Sequence, residues 1–572
     1  MKYGIYAVCC GMVLSFFSCK KEKENYRYDN RPVQDVQGNS LLRLINLTGH
    51  SQVIAEGDTL TNYTIFRPGA PGVIPMYPST KFFPDKGQLG QMWSIPRQIL
   101  KNGRASLMTE AIMWQSSWRD TIALDVREDG TGAKDYLLLQ SGNVTMGNLP
   151  RLMEIPRSVT APSKAGYIKI RLVNMAQILR SQSDPVDQLS VPLTLAYADG
   201  TPVSIATTNV AVGKASDYIE LPYGTYQFKV LTPDGIQVSA SGGSTLENTD
   251  IIDPETSTLV KGAPGRPHTV STHLTYAPVR TYQPGGIYTI MTGVSSFTFP
   301  YYNGVSGETY SGYQNAFRVL ADVAEPANVN YARIQAVNAL SGESTVAVKI
   351  DNDPAVQVPY GKQSDYSIRI RGAAHITAVD NKGAVIAEMD AQLQPNMNYT
   401  AWIYRRADGK AGITLVSNNL SGGWYTGGNG ADGSMDRYEQ KYPFHVRFLN
   451  FCKDLPYVTF TGKNGQPLNN ESSTNLQPGI APVSLPYVRF SQSFEAWNIM
   501  AYRSRPSVLP GSWITEIPVV KSTDFIARKE LYVRGPLPVH EPGIFTVALI
   551  GQLNNAVPEG EKARMIIVKH TK

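Results

Sequence analysis

Apolar and polar residues alternate at the start of four similar segments of this 572-residue chain. In residues 167–176 (Tyr-Ile-Lys-Ile-Arg-Leu-Val-Asn-Met-Ala), apolar side chains at every second position alternate with Lys169 and Arg171. This period predicts a half-buried strand, with Lys169 and Arg171 on the face away from the core. We expect Asn174, at its end, to bond backbone groups of the following turn. Related endings in Asn occur at residues 43–46, 335–338 and 447–450.

The four segments predict four β-domains in a row, of which the second and third share further signals in the same order. Gly-Lys-x-Ser-Asp-Tyr occurs at residues 213–218 and 361–366, and a Gly-containing turn and a closing strand follow in both. We interpret Pro222 to Thr225, between two alternating stretches, as a hairpin. Shared order is stronger evidence for a repeat than any single motif. The predicted closing strands lie at residues 283–291 and 394–402.

The first and fourth domains are more divergent, because neither carries a clear Ser-Asp-Tyr. The fourth opens at residues 444–450 and closes at 541–547, and the first closes near residues 135–139. The predicted boundaries are 39–160, 164–298, 328–420 and 442–572.

These motifs resemble the bacterial domain of unknown function 4397 family. The second and third domains match well, over roughly two-fifths of the chain, whereas the outer two match only at their ends. The resemblance implies immunoglobulin-like sandwiches and an extracytoplasmic setting, and it implies no activity. Many short strands with tight turns suit the same fold. We therefore predict an all-β protein of tandem immunoglobulin-like β-sandwich domains.

The first residues predict a secretory signal. Lys2 precedes an apolar run that is too short to cross a bilayer comfortably, and the run ends in Phe-Phe-Ser-Cys at residue 19. This ending resembles the lipobox of Bacteroidota-type lipoproteins. It implies a signal peptide over residues 1–18, acylation of Cys19 and an outer-membrane location. The alternative is an ordinary signal peptide with a chance cysteine. Residues 19–38 are polar and aperiodic, which predicts a flexible tether, and the choice between cell surface and periplasmic face stays open.

Composition and spacing argue against several functions. The net charge of +6 comes without a Lys/Arg-rich block, which makes nucleic acid an unlikely partner. Cys452 is the only cysteine in the predicted folded part, so we expect no disulfide or cysteine-based metal site there. The histidines lack ligand spacing, and there is no nucleophile elbow or phosphate-binding loop. The acidic turn at residues 351–353 favours a solvated loop over a calcium site. We therefore predict no metal, no cofactor and no enzymatic activity, with a hydrolase as the least favoured reading.

Two stretches between predicted domains are rich in Gly and aromatic residues, at positions 299–313 and 422–438. One interpretation is a loop whose rings pack against a neighbouring sandwich. The other is an exposed platform on which sugar rings stack. Under the second interpretation, the candidate ligand contacts are Trp424, Tyr425 and Tyr438.

The sequence thus favours a membrane-anchored, extracytoplasmic binding or interaction protein. Its expected partners are the membrane, through the lipid anchor, and either a polysaccharide or another surface protein. The alternative is a structural or assembly subunit of a surface complex, either fimbria-like or accessory to a transporter, with no ligand of its own.

Overall fold

The structure is a computed structural model. It describes residues 38–62, 79–84, 87–112, 119–140, 145–179, 189–240, 250–252, 259–261, 279–302, 307–418, 420, 444–466, 468, 471–483, 486–490, 496–532, 537, 539–554 and 556–572. The signal peptide, Cys19 and nearly all of the tether lie outside these residues, and so do Trp424, Tyr425 and Tyr438.

The prediction of an all-β fold is confirmed. Strands make up 51% of the structure and helical turns 5%, and no helix reaches seven residues. The helical elements in the described residues are short 3-10 turns, at Arg97–Ile99, Ile205–Thr207, Lys463–Gly465, Glu471–Ser473, Ser522–Phe525, Lys529–Leu531 and Glu559–Glu561.

The first sandwich consists of two four-stranded sheets that enclose a core containing Leu44, Val53, Trp93 and Leu107. One sheet has the order β4-β1-β7-β8 and the other the order β3-β2-β5-β6. The strands are β1 Asn39–Asn46, β2 Gln52–Ala55, β3 Asp58–Thr59, β4 Met92–Pro96, β5 Arg104–Ile112, β6 Arg119–Arg127, β7 Ala133–Leu138 and β8 Leu152–Arg157.

The second sandwich has one large sheet, of order β11-β9-β19-β20-β15 with β12 also beside β9, and small pairs β10-β14, β13-β18 and β16-β17. Its strands are β9 Tyr167–Met175, β10 Thr194–Ala196, β11 Lys214–Ala215, β12 Ile219–Pro222, β13 Gly224–Tyr226, β14 Lys229–Leu231, β15 Ser239–Ala240, β16 Asp250–Ile252, β17 Leu259–Lys261, β18 Arg280–Tyr282, β19 Ile287–Tyr302 and β20 Gly307–Ala321. The sheet therefore continues to Ala321, beyond the predicted boundary at residue 298.

The predicted hairpin at Pro222 to Thr225 is wrong. Strand β12 pairs with β9, whereas β13 pairs with β18 in the facing part of the sandwich. The chain crosses between the two layers at Tyr223, which is buried in the core. Turn residues indicate a change in chain direction, and such a change occurs at a crossover between layers as well as in a hairpin.

The third sandwich has two four-stranded sheets, of order β24-β21-β27-β28 and β23-β22-β25-β26. The fourth has one four-stranded sheet, of order β31-β29-β35-β36, and a smaller sheet of order β30-β32-β33, in which β34 also pairs with β32. The third contains β21 Tyr331–Ala339, β22 Thr345–Ile350, β23 Val356–Pro359, β24 Ser367–Ile370, β25 Gly372–Val379, β26 Val385–Leu393, β27 Asn398–Arg405 and β28 Ala411–Ser417. The fourth contains β29 Phe444–Asn450, β30 Val458–Thr461, β31 Val488–Arg489, β32 Asn498–Arg505, β33 Val508–Trp513, β34 Val520–Lys521, β35 Gly543–Ile550 and β36 Arg564–Lys569.

The four sandwiches share one pairing pattern. Each opening strand runs parallel to the strand predicted to close its domain, in the pairs β1-β7, β9-β19, β21-β27 and β29-β35. A further antiparallel strand then follows each predicted closing strand, so these strands are penultimate and not last.

The asparagine that ends each opening strand has the same role in all four sandwiches. The Asn174 side chain accepts a bond from the backbone N–H of Ala176 and donates to the carbonyls of Val191 and Val210. The expectation for Asn174 is confirmed, and it extends to carbonyls well beyond the turn. Equivalent bonds are made by Asn46, Asn338 and Asn450.

The sandwiches pack face to face in pairs, so the opening strands are buried on both faces. In β9, Ile170 faces the core of its own sandwich, while Val173 and Met175 pack against the first sandwich. Arg171, expected on an exposed face, is only 2% exposed. The apolar contact between the first two sandwiches consists of Ile45, Leu47, Leu137, Leu139, Ile155, Val173, Met175, Met291 and Leu320. The third and fourth pack in the same way through Val337, Ala339, Trp402, Val416, Leu449, Phe451, Ala548, Ile550 and Val568.

The two pairs also contact each other through the second and fourth sandwiches. Lys229 of β14 forms a 2.9 Å ion pair with Glu541, and both side chains are 1% exposed. The last residue also lies on the second sandwich, since the carbonyl of Lys572 accepts a 2.8 Å bond from the Gln227 N–H. Contacts of this kind restrict the independent motion of the four sandwiches relative to one another.

Candidate functional site

One part of the described chain extends beyond its sheet, and it coincides with the first aromatic-rich stretch. Strands β19 and β20 pair without a break from Tyr288 with Ala321 to Tyr302 with Gly307. The interpretation of residues 299–313 as a loop is therefore wrong at the described positions, because these residues continue a hairpin. We call residues 295–302 and 307–314 the arm.

The arm has no third strand beside it in the described residues. Pairing between β9 and β19 stops at Gly293, and β15 pairs with β20 at Ala316 and Phe317. Beyond these points only the two strands of the arm continue, for eight residues each. At about 3.3 Å per residue the arm projects about 25 Å. A two-stranded ribbon is marginally stable in water by itself, so a covering surface would stabilise it.

The composition of the arm is unusual for a ribbon that no third strand flanks among the described residues. It contains six aromatic residues and a single charged one, Glu308. The register aligns Phe299 with Tyr310 and Phe297 with Gly312. Since alternate positions of a strand share a face, these positions fall on one side of the ribbon. Most remaining positions are Ser, Thr or Gly, so the sequence combines aromatic groups with hydroxyl groups.

The root of the arm carries a buried cation. Arg318 of β20 is 8% exposed, and its guanidinium donates to the hydroxyl of Ser295 on β19. Its Nε atom is buried and makes no hydrogen bond among the described residues. Burial lowers the pKa of Arg318 to about 10, which still leaves the side chain charged at neutral pH.

Other polar groups complete the surroundings of this root. The Asn315 side chain accepts a 2.9 Å bond from the Gln177 N–H and donates a 2.8 Å bond to the Gln177 carbonyl. The Gln177 side chain donates to the carbonyl of Gln140 in the first sandwich. The root therefore lies where the first two sandwiches meet, and it is held by both.

A buried polar cluster lies at the junction between the first and second sandwiches. Arg43 binds Asp135 through two 2.8 Å bonds and Asp322 through one 2.6 Å bond. Arg157 lies 3.0 Å from Asp135, and Tyr218 donates a 2.8 Å bond to Asp322. These side chains satisfy one another, so the cluster is suited to fixing the angle between the sandwiches and not to binding a ligand.

An arginine stacked on a tyrosine recurs beside the opening strands. Arg171 lies 4.6 Å from the ring centre of Tyr218, and Arg447 lies 4.5 Å from that of Tyr487. Each tyrosine directly precedes a short strand that pairs with the opening strand. Sequence motifs did not identify Tyr487, because Ser-Leu-Pro precedes it in place of the Ser-Asp of the inner domains.

The junction of the third and fourth sandwiches uses a neutral cluster. His570 Nδ1 lies 3.1 Å from the Gln335 amide nitrogen, and its Nε2 lies 2.8 Å from the Thr546 hydroxyl. Because the amide nitrogen can only donate, the neutral ring with its proton on Nε2 satisfies both contacts. Burial and the nearby charge of Arg447 lower the pKa of His570 to about 3.

Metal-binding geometry is not found in the described residues. They contain no group of three or more His, Cys, Asp or Glu side chains arranged to hold an ion. In the acidic turn, Asp351 accepts from the His375 N–H and Asp353 pairs with Arg369. Cys452 is fully buried, and burial raises the pKa of its thiol to about 12. Within the described part of the chain, no helix is long and apolar enough to span a membrane.

No protein-family model matches the chain. A search of curated proteins finds no match either. The resemblance to the family of unknown function 4397 therefore stays a prediction from its motifs.

Proposed function

We propose that the protein is a lipid-anchored, extracytoplasmic binding protein of the outer membrane that contacts a polysaccharide or a surface protein through the arm. The observation that carries the proposal is the arm itself. It is a two-stranded ribbon with six aromatic residues and one charge, and no third strand flanks it in the described structure. Aromatic residues with polar neighbours are typical of binding surfaces.

The anchor part of the proposal rests on the leader. Its apolar run ends at Cys19, and a polar stretch follows. Several acyl chains would hold the chain firmly, because each buried methylene contributes about 0.8 kcal/mol. Cys19→Ala should abolish palmitate labelling and move the protein from the membrane fraction to the soluble fraction. Normal labelling of this variant would contradict the anchor.

The packing of the four sandwiches supports a binding role for the arm. Its root belongs to β19, which pairs with β9 on one side and β20 on the other. Met291 of β19 is fully buried between the first two sandwiches. A binding element gains precision when rigid structure supports it, because less freedom is lost on binding.

The arm can be removed without cutting the sheet. Ser295 pairs with Gln314 across the hairpin, so an Asn-Gly turn between them would close a shortened hairpin. We expect this variant to keep its cooperative melt and lose binding to polysaccharides that retain the full-length protein in affinity electrophoresis. Equal retention of both proteins would contradict a binding role for the arm.

A second candidate is the assembly subunit, favoured by the two strand edges of the arm. Unpaired edges accept a strand from another chain, which is a common way to join subunits. If the arm assembles copies of this chain, light scattering should show oligomers for the full-length protein and monomers for the shortened variant. Monomers in both cases would remove this candidate for self-assembly.

A further inference from the structure

Arg318 differs from the other buried arginines near the junction of the first two sandwiches. Arg43 and Arg157 each lie within 3.0 Å of the Asp135 carboxylate. Arg171 donates to the hydroxyl of Thr289 and a backbone carbonyl, and it stacks on Tyr218. Across the described residues, Arg318 has a single partner, the hydroxyl of Ser295, and no carboxylate within ion-pair distance.

An unpaired buried cation destabilises a fold. Removal of the guanidinium from water carries a desolvation cost, and one neutral hydroxyl does not offset it. A Met or Leu at this position could fill the space without that cost. Buried polar groups that lack partners require an explanation, and one explanation is a counter-charge that arrives with a ligand.

The location indicates what that ligand is. Arg318 donates to Ser295, which is the first residue of the arm, so the cation lies where the ribbon leaves the sandwich. Hydroxyl and aromatic residues follow along the ribbon, among them Ser296, Phe297 and Thr298. A polymer that follows the arm toward its root would bring its substituents to the guanidinium. Guanidinium groups bind carboxylates and sulfates through two parallel hydrogen bonds.

We propose that Arg318 and Ser295 form an anion subsite at the root of the arm, and that the ligand of this protein is an acidic polysaccharide bearing carboxylate or sulfate groups. This inference rests on the proposed function and names the class of its ligand. The sugar rings would contact the arm, and an acidic substituent would reach Arg318 and the Ser295 hydroxyl.

The first experiment tests the subsite without a polysaccharide. Melting temperatures of the wild type and Arg318→Met are compared in sodium sulfate and in sodium chloride at equal ionic strength. We expect sulfate to raise the melting temperature of the wild type by several degrees more than that of Arg318→Met, because a bound ion stabilises the folded state. An equal rise in both proteins would overturn the subsite.

The second experiment tests the ligand class by affinity electrophoresis with polygalacturonate, chondroitin sulfate and a neutral glucan. The wild type should bind at least one acidic polymer, and Arg318→Met should bind it at least tenfold more weakly. Binding to polygalacturonate alone would identify a carboxylate ligand, and binding to chondroitin sulfate alone a sulfated one. Equal binding of acidic and neutral polymers would overturn the inference and leave the proposed function standing. Binding of none of them would contradict the polysaccharide part of the proposed function itself.

Stability separates this role from a purely structural one. Because Arg318 has no counter-charge among the described residues, Arg318→Met should melt at the same temperature as the wild type or higher. The matched control is Arg43→Met, which removes a cation paired with two carboxylates and should melt well below the wild type. A large loss of stability in Arg318→Met would show that the guanidinium holds the sandwich together, and would overturn the inference.

Discussion

Acid should weaken the junction of the third and fourth sandwiches through His570. The neutral ring accepts a hydrogen bond from Gln335 and donates one to Thr546. Protonation would place a second N–H against the Gln335 amide, close to the charge of Arg447. Burial and Arg447 lower the pKa of His570 from 6.5 to about 3 in the folded state.

The sign and size of the effect follow from this difference. Since the pKa of His570 is depressed in the folded state, its contribution to the stability of the fold is complete above the unfolded-state pKa. This contribution is lost as the pH falls toward 3. At pH 5 the unfolded histidine is almost fully protonated and the folded one is neutral, which favours unfolding by about 2 kcal/mol relative to pH 8. Near pH 3 the loss approaches about 4 to 5 kcal/mol.

The comparison needs a variant that keeps the hydrogen bonds and does not titrate. His570→Gln meets this requirement, because an amide can accept from Gln335 and donate to Thr546. Urea unfolding at pH 8 and pH 5 should show a loss of stability in the wild type about 2 kcal/mol larger than in the variant. His540, whose pKa burial lowers to about 4, is present in both proteins, so its effect cancels.

Trp402 supplies a local signal for the same transition. It is fully buried at this junction and stacks on Phe451 with ring centres 5.0 Å apart. Opening of the junction should shift its fluorescence to longer wavelength, and Trp402→Phe should remove that component. An equal loss of unfolding free energy in the wild type and His570→Gln between pH 8 and pH 5, to within about 0.5 kcal/mol, would contradict a role of His570 in the acid sensitivity of this junction.

Three further changes test other parts of the structure. Asp322→Asn leaves the charge of Arg43 less compensated at the first junction, and a thermal melt should show a loss of about 3 to 5 kcal/mol; a change under about 1 kcal/mol would argue against a structural role. Asn174→Ala removes donors to two carbonyls, and urea unfolding should show a loss of about 2 to 3 kcal/mol; an unchanged midpoint would contradict the shared role of these asparagines. Replacement of both Trp424 and Tyr425 by Ala should weaken polysaccharide binding roughly tenfold at constant melting temperature if they contact the ligand. Lower stability with unchanged binding would instead assign them to packing.

The features predicted correctly from sequence depend on local chemistry. Alternation with a period of two indicates a strand wherever it occurs, and it located the core face of β9 through Ile170. The role of Asn174 could also be predicted from sequence, because an Asn side chain often forms hydrogen bonds with backbone groups two residues away. The all-β class followed from many such strands and turns.

The features that escaped sequence analysis depend on residues far apart in the chain. Arg171 and Lys169 are both basic residues of the second sandwich, yet the first sandwich covers Arg171 and leaves Lys169 partly exposed. Phe299 and Tyr310 suggested a loop by their glycine-rich surroundings, and only their pairing across β19 and β20 shows a ribbon.

Local sequence patterns therefore encode the class of fold, the opening strands and the asparagine turns. Each of these features is encoded within about ten residues by alternation or by a side chain that bonds its own neighbourhood. The face-to-face pairing of the sandwiches, the burial of His570 without charge and the lack of a carboxylate near Arg318 among the described residues become visible only in the folded structure. Burial and charge compensation are properties of a complete packed environment, and the residues that form it are brought together only by folding.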